Sequence, residues 1–263
     1  MRYSVITINY NNKDGLQRTI ESVVKQTCKD FEYIIIDGGS TDGSVDVIKA
    51  YAEGVTYWVS EPDKGIYNAM NKGTRHAIGD YLIFMNSGDC FHSPDVLDSI
   101  TGHQEDIICG KILRGNSTRP SGHHKETITF IDLIRDTLPH QAMFIKKELM
   151  NKYPYDEKYR IYADWKFSVE AIVVGNCSFR NLDTIVADYD VSGVSANNNE
   201  QRLMEKEAIL HDLFPARIIA DYHRLAPIDD LLIDQSRLLT QTIKARKLVK
   251  GFSNLVLRLI HKK

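Results

Sequence analysis

Four short apolar runs, each ending in a polar cluster and separated by segments of helical period, constrain this chain more than any other feature. The first, Tyr3–Asn9, is built on Val5, Ile6 and Ile8. Phe31–Ile36 is almost continuously apolar, and Val55–Val59 and Tyr81–Met85 follow. Runs this short and this apolar suit strands buried on both faces. Between them, Leu16, Ile20, Val23 and Val24, then Val45, Ile48 and Ala52, then Ile66, Met70 and Ala77 recur at helical spacing. Asp14 is expected to cap the first of these helices. A β-α-β-α-β-α-β order predicts an α/β fold, a mostly parallel sheet flanked by helices. Parallel strands send their carboxyl ends to one edge. The polar exits at Asn9, Asp37, Glu61–Lys64 and Asn86–Asp89 are therefore expected to converge on a ligand cleft.

The second half is less regular. Strands are expected at Asp106–Leu113, Ala142–Ile145 and Thr184–Tyr189, the last exposed. A short helix is expected at Phe130–Ile134, another opens at Ile161–Asp164, and further helices cover Glu200–Leu213 and Ile228 onward. Arg114–Lys125 reads as a loop. No Pro/Ser-rich linker divides the chain. The expectation is one catalytic domain over residues 1–225, with a donor half to about residue 110 and an acceptor half beyond, then a helical basic tail over 226–263.

A net charge of -2 argues against general nucleic-acid binding. The average hides an asymmetry. From Gln235 onward the chain has eight Lys/Arg and no acid, so residues 1–234 hold 25 basic and 35 acidic groups. In that tail Leu248, Phe252, Leu255, Val256 and Leu259 recur at helical spacing among the basic residues. This suits a helix lying on an anionic leaflet or one packed on the domain or a partner. Cys28, Cys90, Cys109 and Cys177 lack metal or disulfide spacing. With no long apolar leader and no spanning stretch, a cytoplasmic protein is expected, with the tail at the inner face of the membrane.

At this point the motifs resemble a known family. Ser4–Asn11 (SVITINYN), Ile35–Gly43 (IIDGGSTDG), Gly65–Gly73 (GIYNAMNKG) and Gly79–Asp89 (GDYLIFMNSGD) are similar, in this order, to the inverting nucleotide-sugar glycosyltransferases of family 2, with the GT-A fold. The resemblance covers roughly Tyr3 to Tyr189. It implies transfer of a sugar from a nucleoside-diphosphate donor, UDP-linked in expectation, to a glycan or lipid-linked acceptor in surface polysaccharide biosynthesis. The processive Gln-x-x-Arg-Trp signature is absent, so single-sugar transfer is expected. Where the family has Asp-x-Asp, this chain has Asn86 and closes on Asp89. Where it often has Glu-Asp, this chain has Ala163–Asp164.

Just beyond a strand's carboxyl end, Asp89 suits a hard cation or a simple polar turn at Ser87–Asp89; the resemblance implies it as ligand of Mg²⁺ or Mn²⁺, a Lewis acid for the leaving diphosphate. It implies Asp164 as the base for the acceptor hydroxyl, whereas the residues alone also allow a helix N-cap before Trp165. It gives Tyr10 a stacking role on uracil and Asp37 the imide N–H, although Asp37 also suits a simple turn. Thr7, Asn9, Ser87 and Gly88 join the expected donor side. Asn86 is expected at a ribose hydroxyl or a metal-bound water. Lys64 is expected at the diphosphate or in an exposed turn, and Asn68 and Asn71 share one helical face toward the cleft. His140 and Trp165 are expected on the acceptor side, with a solvated loop and the core as their respective alternatives. A non-catalytic nucleotide-sugar binding or scaffolding protein is the rival from another class. A nucleotidyltransferase or a dinucleotide oxidoreductase would need glycine-rich loops that Asn9–Asn12 does not supply.

Overall fold

The computed structural model describes residues 2–122, 125–191 and 199–224. The chain divides into two compact units, Met1–Lys206 and Glu207–Lys263. The first holds one eight-stranded sheet of order β3-β2-β1-β4-β7-β6-β8-β5. Strands β1 (Tyr3–Asn9), β2 (Phe31–Asp37), β3 (Tyr57–Ser60) and β4 (Tyr81–Phe84) run parallel, in register from Tyr3↔Phe31 to Asn9↔Asp37 and from Tyr3↔Tyr81 to Ile6↔Phe84. Their crossovers are α1 (Lys13–Val24), α2 (Ser44–Ala50) and α3 (Ile66–His76). The cap of α1 is Asn12, whose side chain accepts from Gly15 N; Asp14 sits within the first turn instead.

Beyond β4 the sheet becomes mixed. A two-residue strand β5 (Cys90–Phe91) and a one-turn helix α4 (Val96–Ser99) lead to β6 (Ile107–Arg114). Then come α5 (Phe130–Arg135), a 3₁₀ turn at His140–Ala142, β7 (Met143–Lys146), α6 (Lys147–Lys152), α7 (Ala163–Ser168) with a π-turn to Val174, and β8 (Phe179–Tyr189). β7 is antiparallel to both β4 and β6, and β8 is parallel to β6 but antiparallel to β5. β8 is longer than expected and not wholly exposed, since Val186 and Ala187 are buried.

One face of the sheet buries Val5, Ile35 and Ile83 against Leu16, Ile20 and Val23 of α1 and Val47 and Ile48 of α2. Each such side chain contributes roughly 1.5–3 kcal/mol on leaving water. Thr7 lies inside this sheet, fully buried; its hydroxyl donates to Met85 O at 2.8 Å and pairs with Tyr33 OH at 2.9 Å. It braces β1 against β2 and β4 and does not face a donor. Helix α8 (Asn199–Leu213) closes the first unit through Lys206. The described part of the second unit is helical at 207–213 and 216–224. The expected basic tail, with Leu248, Phe252 and Leu255, lies outside the described residues.

Candidate active site

The carboxyl ends of β1, β2 and β3 meet in a network centred on Asp37. Its Oδ1 accepts from Asn9 Nδ2 at 2.7 Å and Ser40 Oγ at 2.6 Å, and its Oδ2 from Ser40 N at 2.9 Å and Ser60 Oγ at 2.6 Å. Burial alone would raise this carboxyl, but the hydrogen bonds outweigh it and hold it below its ordinary value. With four lone-pair directions used and no exposed surface, Asp37 offers nothing to an imide N–H. The expected role at uracil is corrected accordingly: Asp37 ties three strand exits together.

The accessible groups stand one step further out. Tyr10 is 67% exposed. Gly38 lies beneath it, at a point where a Cβ would come within 2.6 Å of Asp63 Oδ2 and 3.1 Å of Tyr10 Cδ2. Asp63 is half-buried; its Oδ1 accepts from Gly65 N at 2.8 Å, and its Oδ2 takes no hydrogen bond among the described residues. The sequence signal for Asp63 is its place in the polar exit of β3, beside Lys64. Lys64 is exposed, with its backbone N–H donating to Asn68 Oδ1.

Asn68 and Asn71 do share a face of α3, but that face grips the chain before α7. Asn71 Nδ2 donates to Tyr155 O at 2.8 Å and Glu157 Oε1 at 2.9 Å, and its Oδ1 accepts from Tyr155 N. Asn68 Nδ2 donates to Glu157 Oε2 at 2.8 Å. Both amides are used as clamps and not as donor ligands.

The exit of β4 is a tight turn. Gly88 takes φ +108°, where a Cβ would meet Asp190 Oδ2 at 2.7 Å, and its N–H donates to Thr19 Oγ1 at 2.9 Å. Ser87 O accepts from Asn12 Nδ2 at 3.0 Å. The turn aims Asp89 inward, where it is 4% exposed and its Oδ1 accepts from Asp190 N at 2.8 Å. Burial raises its carboxyl to about 6, against the smaller opposing effects of that N–H, of His140 and of the Gln141 side chain.

Asp164 is at the second position of α7, whose cap is Tyr162, so the N-cap alternative does not hold. Its side chain is 19% exposed. Oδ1 accepts from Tyr67 OH and Trp165 N, at 2.9 and 2.8 Å, and Oδ2 pairs with His140 Nδ1 at 3.1 Å. His140 Nε2 faces Asn86 Nδ2 at 3.1 Å. One tautomer satisfies both contacts: Nδ1–H donates to Asp164, and Nε2 accepts from Asn86. Burial lowers His140, yet the Asp164 hydrogen bond and the charges of Asp164 and Asp89 outweigh it, so the imidazole is raised. His140 is thus no solvated loop histidine. Trp165 is core: it is 2% exposed, and its Nε1 donates to Leu133 O at 2.6 Å, so it is no open platform for a sugar ring.

Among the described residues no group of three or more His, Cys, Asp or Glu is arranged around a metal. The donor set still fits a cation supplied with most of its ligands by a diphosphate and water. Asp89 is a carboxylate raised by its burial. The Asn86 Oδ1 and Asn9 Oδ1 atoms in the strand exits are buried acceptors without a hydrogen-bond partner among the described residues.

Comparison with known proteins agrees with this geometry. Residues 4–175 match the family model "Glycosyl transferase family 2". An uncharacterized glycosyltransferase of Mycobacterium tuberculosis is 35% identical over 240 residues, 85% of either chain. A PGL/p-HBAD biosynthesis glycosyltransferase of Mycobacterium bovis is 30% identical over 207 residues, 74% of this chain and 79% of its own. Among solved structures, S. aureus TarS 1–349 in complex with UDP superposes with a TM-score of 0.62 at 22% identity, over 73% of this chain and 61% of that one. The mannosyltransferase PcManGT of Pyrobaculum calidifontis, in complex with GDP-Man and Mn²⁺, gives 0.60 at 14% identity, over 97% of this chain and 80% of that one. At these identities the superpositions establish the fold. Taken with the family match over the β1-to-α7 block, they make this chain a member of glycosyl transferase family 2, a transferase of the GT-A fold.

Proposed function

We propose that the protein moves a single sugar from a UDP-linked donor to a glycan or lipid-linked acceptor, with inversion, in the assembly of a surface glycan. The observation that carries this reading is the hydrogen-bonded chain Asp164–His140–Asn86. It joins the first turn of α7 to the exit of β4, where donor and acceptor must meet. Support for the donor comes from the TarS structures with UDP and UDP-GlcNAc, and for the surface glycan from the relative named for PGL/p-HBAD biosynthesis.

In this reading Tyr10 stacks on the uracil, and Asp63 Oδ2 accepts its imide N–H across Gly38. Lys64 is free to reach the diphosphate. Asn9 Oδ1 and Asn86 Oδ1 take hydroxyl or water donors, and Asp89 holds the Mg²⁺ or Mn²⁺. When bound, that cation neutralises the charge growing on the leaving diphosphate. The acceptor oxygen attacks the anomeric carbon from the face opposite the diphosphate, the bond to the diphosphate breaks, and the acceptor proton passes to Asp164. Tyr67, Trp165 N and His140 fix the carboxylate, leaving a lone pair on Oδ2 for that proton. Tyr67 itself stays protonated, since burial and then the neighbouring Asp164 raise its phenol well above the ordinary value.

No helix among the described residues is long and apolar enough to cross a membrane. The basic segment from Lys244 onward would hold the enzyme at an anionic inner leaflet, beside a lipid-linked acceptor. Asp164→Asn tests the central role. The kcat for transfer should fall by roughly 10²–10⁴-fold, while calorimetry shows the UDP-sugar still bound. Near-normal kcat would remove Asp164 as base, and failure of the wild type to bind UDP-sugars would remove the donor assignment.

A further inference from the structure

Glu205 lies on α8, and nothing in the chemistry above uses it. It is 9% exposed, and a carboxylate is costly to bury unless its lone pairs are filled. Here the backbone of another element fills them. Oε1 accepts from Arg160 N and from Gln201 Nε2, both at 3.0 Å, and Oε2 from Ile161 N at 2.9 Å and Tyr162 N at 3.1 Å. These three consecutive N–H groups lead directly into α7, whose second residue is Asp164. Tyr162, the cap of α7, makes no side-chain cap hydrogen bond, so the tie comes from outside the helix. Arg202 and Lys206, on the same face of α8, touch the same segment. Arg202 Nε donates to Tyr162 OH at 3.2 Å, and Lys206 Nζ lies 5.5 Å from the Trp165 ring centroid. One face of α8 is therefore laid along the residues on either side of the base.

The backbone of Ile161 is held on both sides. Its N–H goes to Glu205, and its C=O accepts from Tyr67 OH at 2.7 Å. The same hydroxyl stands 2.9 Å from Asp164 Oδ1. A hydrogen-bonded path thus runs from Glu205 through Ile161 and Tyr67 to Asp164. Bonds from N–H groups to an ionised carboxylate are stronger than neutral ones, and three in succession fix where the chain enters α7. We propose that Glu205 is a positioning residue: it sets the entry of α7 and, through it, the placement of the Asp164 carboxylate against His140. Glu205 touches no reacting atom. Its consequence for rate rests on the reading of Asp164 as the base; the placement itself does not.

The test compares four full-length proteins: wild type, Glu205→Gln, Asp164→Asn and the double variant. Gln keeps the length of the side chain but turns an NH₂ group toward the backbone N–H groups. At a single pH, the ring-nitrogen NMR resonances of His140 report its contact with Asp164. Glu205→Gln should move them toward their positions in Asp164→Asn, and the double variant should move them no further. Calorimetry should give the same UDP affinity for wild type and Glu205→Gln. Release of UDP from UDP-GlcNAc should fall by roughly 10–10²-fold in Glu205→Gln, the scale of an ångström-sized misplacement. The double variant should release UDP no more slowly than Asp164→Asn alone, because the two residues act as one unit. A merely structural Glu205 would cost the same factor in both backgrounds and leave the His140 signals in place. Either result would overturn the proposal. If Glu205→Gln is not recovered folded, Glu205→Asp, which keeps the charge but shortens the reach, is read in the same way. Near-normal turnover in Asp164→Asn would instead remove the base reading, and no turnover of UDP-GlcNAc by wild type would count against that donor. In both cases the His140 signals alone decide whether Glu205 places Asp164.

Discussion

Two aspartates close neighbouring regions of the same sheet edge and behave oppositely. Asp37 at the end of β2 and Asp89 beyond β4 are both almost wholly inaccessible, at 0% and 4%. Asp37 accepts four hydrogen bonds and is held low; Asp89 accepts one, from Asp190 N, among the described residues and is pushed up to about 6. Burial costs both of them. The difference lies in what the fold supplies in return. Around Asp37 the chain has completed the site itself, so the carboxylate is architecture. Around Asp89 it has not: fewer hydrogen bonds reach it, and they and the charge of His140 do not offset its burial. Burial of an acid is therefore no mark of function; burial of an acid whose hydrogen bonds do not offset it is.

The largest effect expected from breaking this contrast is on the finished side. Asp37→Ala strips the acceptor from Asn9, Ser40 and Ser60 at once. Leaving such donors unsatisfied costs roughly 1–3 kcal/mol each, so a total loss of about 3 kcal/mol or more is expected. Urea unfolding should show it as a lower midpoint at an unchanged slope. The same measurement on Asp89→Ala should show no comparable loss. Equal destabilisation by the two substitutions would erase the distinction.

The parallel half of the fold was legible because its signals are local. Tyr3–Asn9, Phe31–Ile36 and Tyr81–Met85 are apolar runs closed by polar exits, and parallel pairing sends those exits to one edge. What each exit residue does there was not legible. Asn71 and Asp37 look like ligands in sequence, yet the first clamps Tyr155 and Glu157, from 84 and 86 positions away, and the second is saturated by Ser40 and Ser60. Thr7 alternates correctly for a strand, but only the register says that its hydroxyl turns to Met85 O. The antiparallel half hides its key contact for the same reason. His140 and Asp164 are 24 residues apart, and β7 must lie between β4 and β6 before His140 can touch both Asp164 and Asn86. Asp63 carries no distinguishing signal, because a carboxylate in a Pro-Asp-Lys-Gly turn reads as turn chemistry, and its Oδ1 does serve that purpose with Gly65 N.

The next effect sharpens the unfinished side. The folded Asp89 carboxyl, at about 6, lies above its unfolded value near 3.9. Its contribution to stability is therefore fully present below about pH 3.9 and is lost as pH rises through 6. Replacing it with Asn removes that loss. Without metal, Asp89→Asn should be more stable than wild type at pH 7.5, by roughly 2–3 kcal/mol, and the gap should close toward pH 4. Adding Mn²⁺ with UDP should reverse the order, because only the ionised carboxylate takes the cation, and this rescue should fade below about pH 6. Thermal unfolding of both proteins from pH 4 to 8, with and without Mn²⁺ and UDP, checks each sign. A variant less stable than wild type at pH 7.5 in the absence of metal would show that Asp89 is as complete as Asp37.

The smallest effect asks whether Asp63 takes the role that Asp37 cannot. Oδ2 of Asp63 is an open acceptor beside Gly38 and the exposed ring of Tyr10. Stacking on Tyr10 is indifferent to the base, since every base has a π-face. Discrimination must come from the edge. Uracil offers an N–H to the carboxylate, whereas the same edge of cytosine presents a lone pair and is repelled. Wild type should therefore prefer UDP over CDP by roughly tenfold or more, about the worth of one charged hydrogen bond. In Asp63→Ala the two affinities should converge, chiefly through weaker UDP binding. Tyr10→Ala should weaken both nucleotides and keep their ratio. The readout is the ratio of Kd values for UDP and CDP in the three proteins at saturating Mn²⁺. A ratio unaltered by Asp63→Ala would return Asp63 to the turn it closes with Gly65, and would leave recognition of the base to backbone groups of the β2 exit.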